Sequence, residues 1–211
     1  MTRASPDFIT FTGIDERTSL GRLTELSARY PIEWGVLMDP GRQGKDPRFP
    51  STEALADILT SELRLAGHLC GNHADGVRNG ELARASFDLS RFGRIQINSH
   101  KVSVAEAARF GRRIGRRCIL PCGGDRFPES NAVDWLHDLS GGRGRETAHW
   151  PPHPGRLAGY AGGIGPDNAG QIVAAIAADG PYWIDMETRI RRDDWLDLDQ
   201  CERVCVAVYG A

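Results

Sequence analysis

Two stretches of this chain carry residue types whose spacing suits chemistry on a phosphorylated small molecule. The first is Ala161-Gly162-Gly163-Ile164-Gly165-Pro166-Asp167-Asn168. Glycines let backbone N–H groups approach an oxyanion closely. Asp167 or Asn168 is a helix N-cap, and a helix N-terminus turns its positive end toward the same spot. The second is His137-Asp138-Leu139-Ser140-Gly141-Gly142-Arg143-Gly144-Arg145-Glu146. An acidic residue at a strand end, followed by a glycine-rich loop, suits a general acid beneath a mobile lid. The plain alternatives are a flexible turn with a helix cap for the first stretch and a turn-capping aspartate for the second.

Other chemistry-bearing residues point elsewhere. His68-Leu69-Cys70-Gly71-Asn72-His73 contains zinc-ligand types, but the spacing matches no established pattern and alternate strand residues need not converge, so no metal is expected. Cys201 and Cys205 lie four apart on one face of an expected helix and read as small buried apolar groups. His149 and His153 fall in a proline-rich loop and are expected to be solvated. Arg112, Arg113, Arg116 and Arg117 sit where a helix ends, a terminus that favours cations.

The elements that must position these residues recur regularly. Apolar runs fall near Phe8–Thr12, Glu33–Asp39, Leu65–Cys70, Arg94–Asn98, Cys118–Cys122, Val133–Asp138, Leu157–Ala161 and Tyr182–Glu187. Their continuous apolar character suits parallel strands buried on both faces. Helical patterns fill most gaps: Arg17–Tyr30, Ser51–Leu63, Ala107–Ile114 behind a Ser103/Glu106 capping box, Asp167–Ala178 and Asp193–Tyr209. About ten residues, 123–132, separate the fifth and sixth runs, so the fifth helix is expected to be shortened or absent. Pro151, Pro152 and Pro154 exclude a long helix before the seventh run. Eight strand–helix units predict an α/β fold, a single-domain (β/α)8 TIM barrel over residues 1–211, which is short beside the ~250 residues typical of that fold. A doubly wound sheet is the rival, but Thr12-Gly13-Ile14-Asp15 lacks the glycine spacing of a dinucleotide fingerprint.

At this point the residues resemble those of a known family. Asp138, Gly141-Gly142-Arg143-Gly144, Trp150 and then Ala161–Asn168 look like the sixth and seventh strand–loop segments of phosphoribosylanthranilate isomerases, which read aspartate, Gly-Gly-x-Gly, an aromatic, then Gly-Gly-Leu-x-Pro-x-Asn. Trp34-Gly35-Val36-Leu37 with Pro47-Arg48-Phe49-Pro50-Ser51 is similar to the family's second strand and loop, and Ile9–Ile14 stands where the family has Lys-Ile-Cys-Gly-Ile. The resemblance implies an Amadori rearrangement of a phosphoribosyl amine in tryptophan biosynthesis, without metal or organic cofactor. By position it implies Asp138 as the acid and Arg48 as the holder of an aromatic carboxylate. Gly142, Gly162, Gly163 and Gly165 would then contact the substrate, the last three through phosphate.

The sequence departs from the family at three strands, one of them the fourth, where Asn98 stands in place of the family's usual His. Thr12 replaces the first-strand cysteine that serves as base, and a threonine hydroxyl does not ionise near neutral pH. The eighth strand reads Asp185-Met186-Glu187-Thr188-Arg189-Ile190-Arg191 in place of Asp-Val-Ser-Ser-Gly-Val-Glu, so Arg189 or Arg191 is the expected phosphate partner and Glu187 a candidate catalytic carboxylate beside Asp138 and Thr12. Cys70, Cys122 and His68 are the other candidate bases. Another sugar-phosphate lyase or aldolase, and a non-catalytic phosphate-ligand binder, are the alternative readings. Net charge is −2, with 40% hydrophobic and 26% charged residues, which gives no electrostatic footprint for nucleic acid or membrane. Residues 1–10 lack the apolar centre of a signal peptide, so a cytoplasmic monomer or homodimer is expected.

Overall fold

The computed structural model describes residues 5–79, 88–139 and 149–210. Eight parallel strands close into a barrel in chain order: β1 (Phe8–Thr12), β2 (Ile32–Met38), β3 (Leu65–Leu69), β4 (Arg94–Ile97), β5 (Arg117–Cys122), β6 (Asp134–Asp138), β7 (Ala158–Ala161) and β8 (Tyr182–Met186), with β8 paired back to β1. Helices lie between most strands: α1 (Leu20–Arg29), α2 (Thr52–Thr60), α3 (Gly71–Arg78), α4 (Val104–Ile114) and α5 (Ala169–Ile176), with α6 (Leu198–Tyr209) closing the chain. The (β/α)8 expectation holds, and all eight strands fall within two residues of the runs read from the sequence.

The helix boundaries follow their caps. Ser19 and Ser51 accept hydrogen bonds from the backbone N–H of Arg22 and Ala54, so α1 and α2 begin just after them. The Ser103/Glu106 capping box is formed as expected, and Gly115 ends α4 in a left-handed conformation. Helix α3 was not anticipated; its Gly71-Asn72 start reads as a loop. The expected helix Asp193–Tyr209 begins later, because Asp193 and Asp194 take positive φ values of 52° and 66°. They turn a small hairpin of β9 (Arg191–Arg192) and β10 (Trp195–Leu196) ahead of α6. No helix lies between β5 and β6. There Phe127, with Trp150 and Tyr160, packs edge-on in an aromatic column over the barrel wall. Among the described residues no helix is long and apolar enough to cross a membrane.

The strands are buried on both faces, but the expectation of unbroken apolar character needs correcting. Ile9, Phe11, Trp34, Val36, Ile95 and Ile97 join the outer core beneath the helices. The alternate positions facing the lumen mix polar residues, including Thr10, Thr12, Glu33, His68, Arg94, Gln96 and Asp185, with a second apolar cluster of Phe8, Ile119, Leu136, Ala161 and Trp183. The lower lumen pairs most of its polar groups, with Arg94 Nη1 left without a hydrogen-bond partner among the described residues. Arg94 donates to Glu33 at 2.5 and 3.2 Å, Thr10 donates to the same carboxylate at 3.1 Å, and the guanidinium lies 4.2 Å from the Trp183 ring centre. Burial pushes the Glu33 carboxyl up, but the charge and hydrogen bonds of Arg94, helped by Arg64 and Thr10, outweigh it and hold the group below its usual value of 4.5.

Removing one partner of this pair strands a buried charge. Glu33→Ala is expected to destabilise the fold by about 3–5 kcal/mol in denaturant unfolding. Because the folded value is lowered, the wild-type contribution is present above pH 4.5 and is lost as pH falls through the folded value; the difference between variant and wild type should shrink over the same window.

Candidate active site

The C-terminal ends of the strands open on a cavity of about 400 Å³ to which every one of the eight strands contributes a residue. Of the residues singled out from the sequence, Thr12, Arg48, Asp138, Gly162, Gly163, Glu187 and Arg189 line it. Asp138 is the last residue of β6 and pairs in register with Ala161, the residue before Gly162. The carboxylate and the glycine turn therefore share one mouth. Gly142 lies outside the described residues, as does most of its loop.

The glycine turn is held in shape from below. Gly162 and Gly163 take φ values of 124° and 65°, which side-chain-bearing residues rarely adopt. Asn168 is the N-cap residue of α5, but its side chain makes no capping bond to the helix. Its Nδ2 donates to the Gly163 carbonyl at 2.8 Å and its Oδ1 accepts from Gly165 N–H at 2.8 Å. The Gly165 N–H is thus occupied by Asn168, and Gly165 does not line the cavity. An added Cβ there would lie 2.7 Å from Arg189 Cβ, so Gly165 lets the Arg189 side chain pass over the turn. Asp167 pairs with Arg203 at 2.7 Å.

The opposite side of the mouth is a carboxylate–arginine cluster. Arg48 Nη1 donates to Glu187 at 2.9 Å, and its Nε and Nη2 donate to Asp194 at 3.1 and 2.7 Å. The residue expected to grip a substrate carboxylate is therefore already engaged by two of the chain's own. Arg191 is not a cavity residue: its guanidinium donates to the carbonyls of Thr12 at 3.3 Å and Gly13 at 2.7 Å, tying the segment after β8 to the end of β1.

At the cavity floor Thr12 Oγ1 donates to Asp185 Oδ1 at 2.9 Å. Gly35 keeps this floor open, since a Cβ there would lie 2.6 Å from Thr12 Oγ1 and 2.9 Å from His68 Nε2. Burial drives the His68 imidazole down to about 4, and pushes the Cys70 thiol up to about 11 and the Cys122 thiol up to about 12. Cys70 lines the cavity; Cys122 does not. Among the described residues no group of three or more His, Cys, Asp or Glu is placed to hold a metal ion. His153 corrects the expectation of a solvated loop: its side chain is 2% exposed and its Nε2 contacts the Pro181 carbonyl at 3.0 Å, pinning the proline-rich segment to the start of β8.

Sequence reading missed Asp185 and Gln96 as cavity residues. The signal was available in period two: Asp185 stands two before Glu187, and Gln96 two before Asn98, so each shares its neighbour's face.

No protein-family model matches the sequence, and no curated protein matches it. The fold is similar to solved phosphoribosylanthranilate isomerases. The one from Pyrococcus furiosus is 15% identical, with a TM-score of 0.62 over 97% of this chain and 99% of that one. The one from Thermotoga maritima is 14% identical, with a TM-score of 0.66 over 96% of this chain and 98% of that one. A mutant tryptophan synthase α-subunit from Pyrococcus furiosus is 15% identical, with a TM-score of 0.59 over 99% of this chain and all of that one (100%). Identities this low establish a shared barrel; the reaction rests on the site.

Asn168→Ala removes two hydrogen bonds that fix the glycine turn, at about 1 kcal/mol each. The variant is expected to lose about 2 kcal/mol of stability, measured by denaturant unfolding.

Proposed function

We propose that this chain is an isomerase of a phosphorylated sugar-type substrate, of the phosphoribosylanthranilate isomerase kind. In this reading Asp138 is the general acid of an aldose–ketose (Amadori) rearrangement. The observation that carries it is the sharing of one cavity by Asp138, the Gly162-Gly163 turn and Arg189 at the C-terminal mouth of a closed barrel. This is the face on which barrel enzymes place chemistry, with phosphate held after the seventh and eighth strands.

The substrate phosphate sits against the Gly162-Gly163 backbone, with the Arg189 guanidinium supplying positive charge. Asp138, half-buried on the neighbouring strand, then faces the sugar and protonates the ring oxygen as the ring opens. A carboxylate on the substrate's aromatic part is held by Arg48 once Glu187 and Asp194 give way, exchanging one carboxylate partner for another.

One observation favours a second reading. Arg48 is already neutralised by Glu187 and Asp194, which suits a phosphorylated sugar without a carboxylated aromatic group, acted on by a lyase or aldolase. Complementation of a tryptophan auxotroph lacking the isomerase separates the two. Growth is expected, with Asp138→Asn lowering kcat about 10²–10⁴-fold in a direct assay. No growth, together with retained binding of ribulose 5-phosphate, selects the second reading. Unchanged turnover in Asp138→Asn removes this residue as the acid.

A further inference from the structure

The proposed isomerisation needs a group to take a proton from carbon, and the first-strand position cannot supply it, since Thr12 Oγ1 donates its own proton to Asp185. The acceptor of that bond is, among the described residues, the one cavity carboxyl the reading above leaves unused. Asp185 is 6% exposed and lines the cavity. Its Oδ1 is fixed by Thr12, whereas its Oδ2 is buried with no hydrogen-bond partner among the described residues. Buried polar atoms seldom go unpaired, and one that borders a cavity marks where a ligand atom belongs. His68 Nε2 and Gln96 Oε1 are in the same condition on the same floor.

Register adds the second observation. Asp138 pairs with Ala161, and Ala161 pairs with Asp185, so the two carboxyls lie in one row across three strands with a small residue between them. Two strand spacings separate their Cα atoms by about 10 Å, room for a sugar carbon skeleton between two inward-pointing carboxyls. The other candidates are otherwise engaged: Glu187 accepts from Arg48 at 2.9 Å, and the Cys70 thiol is pushed up to about 11.

We propose that Asp185 is a catalytic residue of this site, the carboxylate whose Oδ2 takes the proton from C2 of the opened sugar, with Thr12 as its positioning residue. The assignment rests on the reading of the cavity as a phosphorylated-sugar site. Asp138 gives its proton to the ring oxygen as the C1–O bond breaks, leaving an iminium at C1. Asp185 takes the C2 hydrogen as a proton; the C–H electron pair becomes the C1=C2 bond, and the C=N pair returns to nitrogen. The neutral enaminol then collapses. The 2-hydroxyl proton passes to the Asp138 carboxylate, C2 becomes a carbonyl, and C1 takes back the proton from Asp185. Both carboxyls are restored, and nothing is oxidised or reduced overall.

The surroundings set the pH dependence. Burial raises the Asp185 carboxyl well above its ordinary value of 3.8; the Thr12 hydrogen bond opposes this, and the Glu33 and Glu187 carboxylates add to it, as does Asp138 when ionised, so the proton that Asp138 carries as the acid favours an ionised Asp185. His68 is neutral near pH 7, and Arg94 beneath is paired with Glu33. The empty site therefore holds the proton at pH values where an exposed carboxylate has lost it. An iminium beside the carboxylate favours its release, and a base must be ionised to act, so the rate rises with pH through this titration.

The test uses the full chain with ribulose 5-phosphate as probe and solvent deuterium exchange at the carbons beside its carbonyl as readout. Expected results are exchange by the wild type with an acid limb above the ordinary carboxylate range, and a carboxyl carbon-13 signal, assigned by its loss in Asp185→Asn, that shifts when the probe binds. Asp185→Asn should bind the probe normally and lose exchange about 10²–10⁴-fold. Thr12→Val, lacking the opposing hydrogen bond, should move the acid limb to higher pH. Exchange by Asp185→Asn within tenfold of wild type, a carboxyl signal blind to the probe, or no exchange by the wild type would overturn the assignment. Exchange lost in Asp185→Asn but no complementation by the wild type would sink the isomerase reading and leave Asp185 standing.

Discussion

Closure of the sheet between its first and last strands is the constraint on which the rest depends. Phe8–Phe11 of β1 pair with Trp183–Met186 of β8, and Asp7 N–H reaches the Tyr182 carbonyl at 2.8 Å. That seam brings Thr12 to Asp185, 173 positions later in the chain, within a hydrogen bond. It is reinforced above by Arg191, whose guanidinium bridges to the last carbonyls of β1. Buried carbonyls at a strand end need donors, and here the donor comes from the far end of the sequence.

The lumen shows one chemistry put to two uses. In its lower part Glu33, Thr10 and Arg94 bond to one another, and the guanidinium is sandwiched toward Phe8 and Trp183. Arg94 Nη1 stays without a hydrogen bond there, 4.0 Å from Asp134. One level higher Asp185, His68 and Gln96 each keep an atom without a hydrogen-bond partner as well. A polar network left half-satisfied costs stability. The upper three differ from Arg94 in bordering the cavity, where a ligand atom can reach them.

Much of this was legible in the sequence. Eight apolar runs with capped helical patterns between them read as a barrel, because strand burial and helix caps are local signals. The glycine turn at 162–163 and the aspartate at the end of β6 were visible for the same reason. What was hidden depends on partners distant in the chain. Arg191 reads as a phosphate ligand until its reach to Thr12 and Gly13 is known, and Gly165 as a backbone donor until Asn168 is seen to take its N–H. His153 reads as a loop residue until the Pro181 carbonyl is found beside it. The polar part of the lumen escaped because apolar residues on the outward face of each strand dominate its average, and the inward half of the pattern belongs to the barrel, not to the strand.

The missing helix between β5 and β6 has a kinetic consequence. Parallel neighbours ordinarily wait for a crossover of a dozen or more residues to fold against the sheet. Here residues 123–133 join the two strands directly, with the Arg117–Asp134 ion pair at 2.9 Å clamping their starting ends. Shorter loops close with less loss of chain entropy, and local pairings form sooner than distant ones. The β5–β6 pairing is therefore the least costly of the parallel joints to close, and the seam between β1 and β8, whose partners lie at opposite ends of the polypeptide, is the costliest. The cavity floor, where Thr12 meets Asp185, straddles that costliest joint, so it exists only when the whole ring is closed.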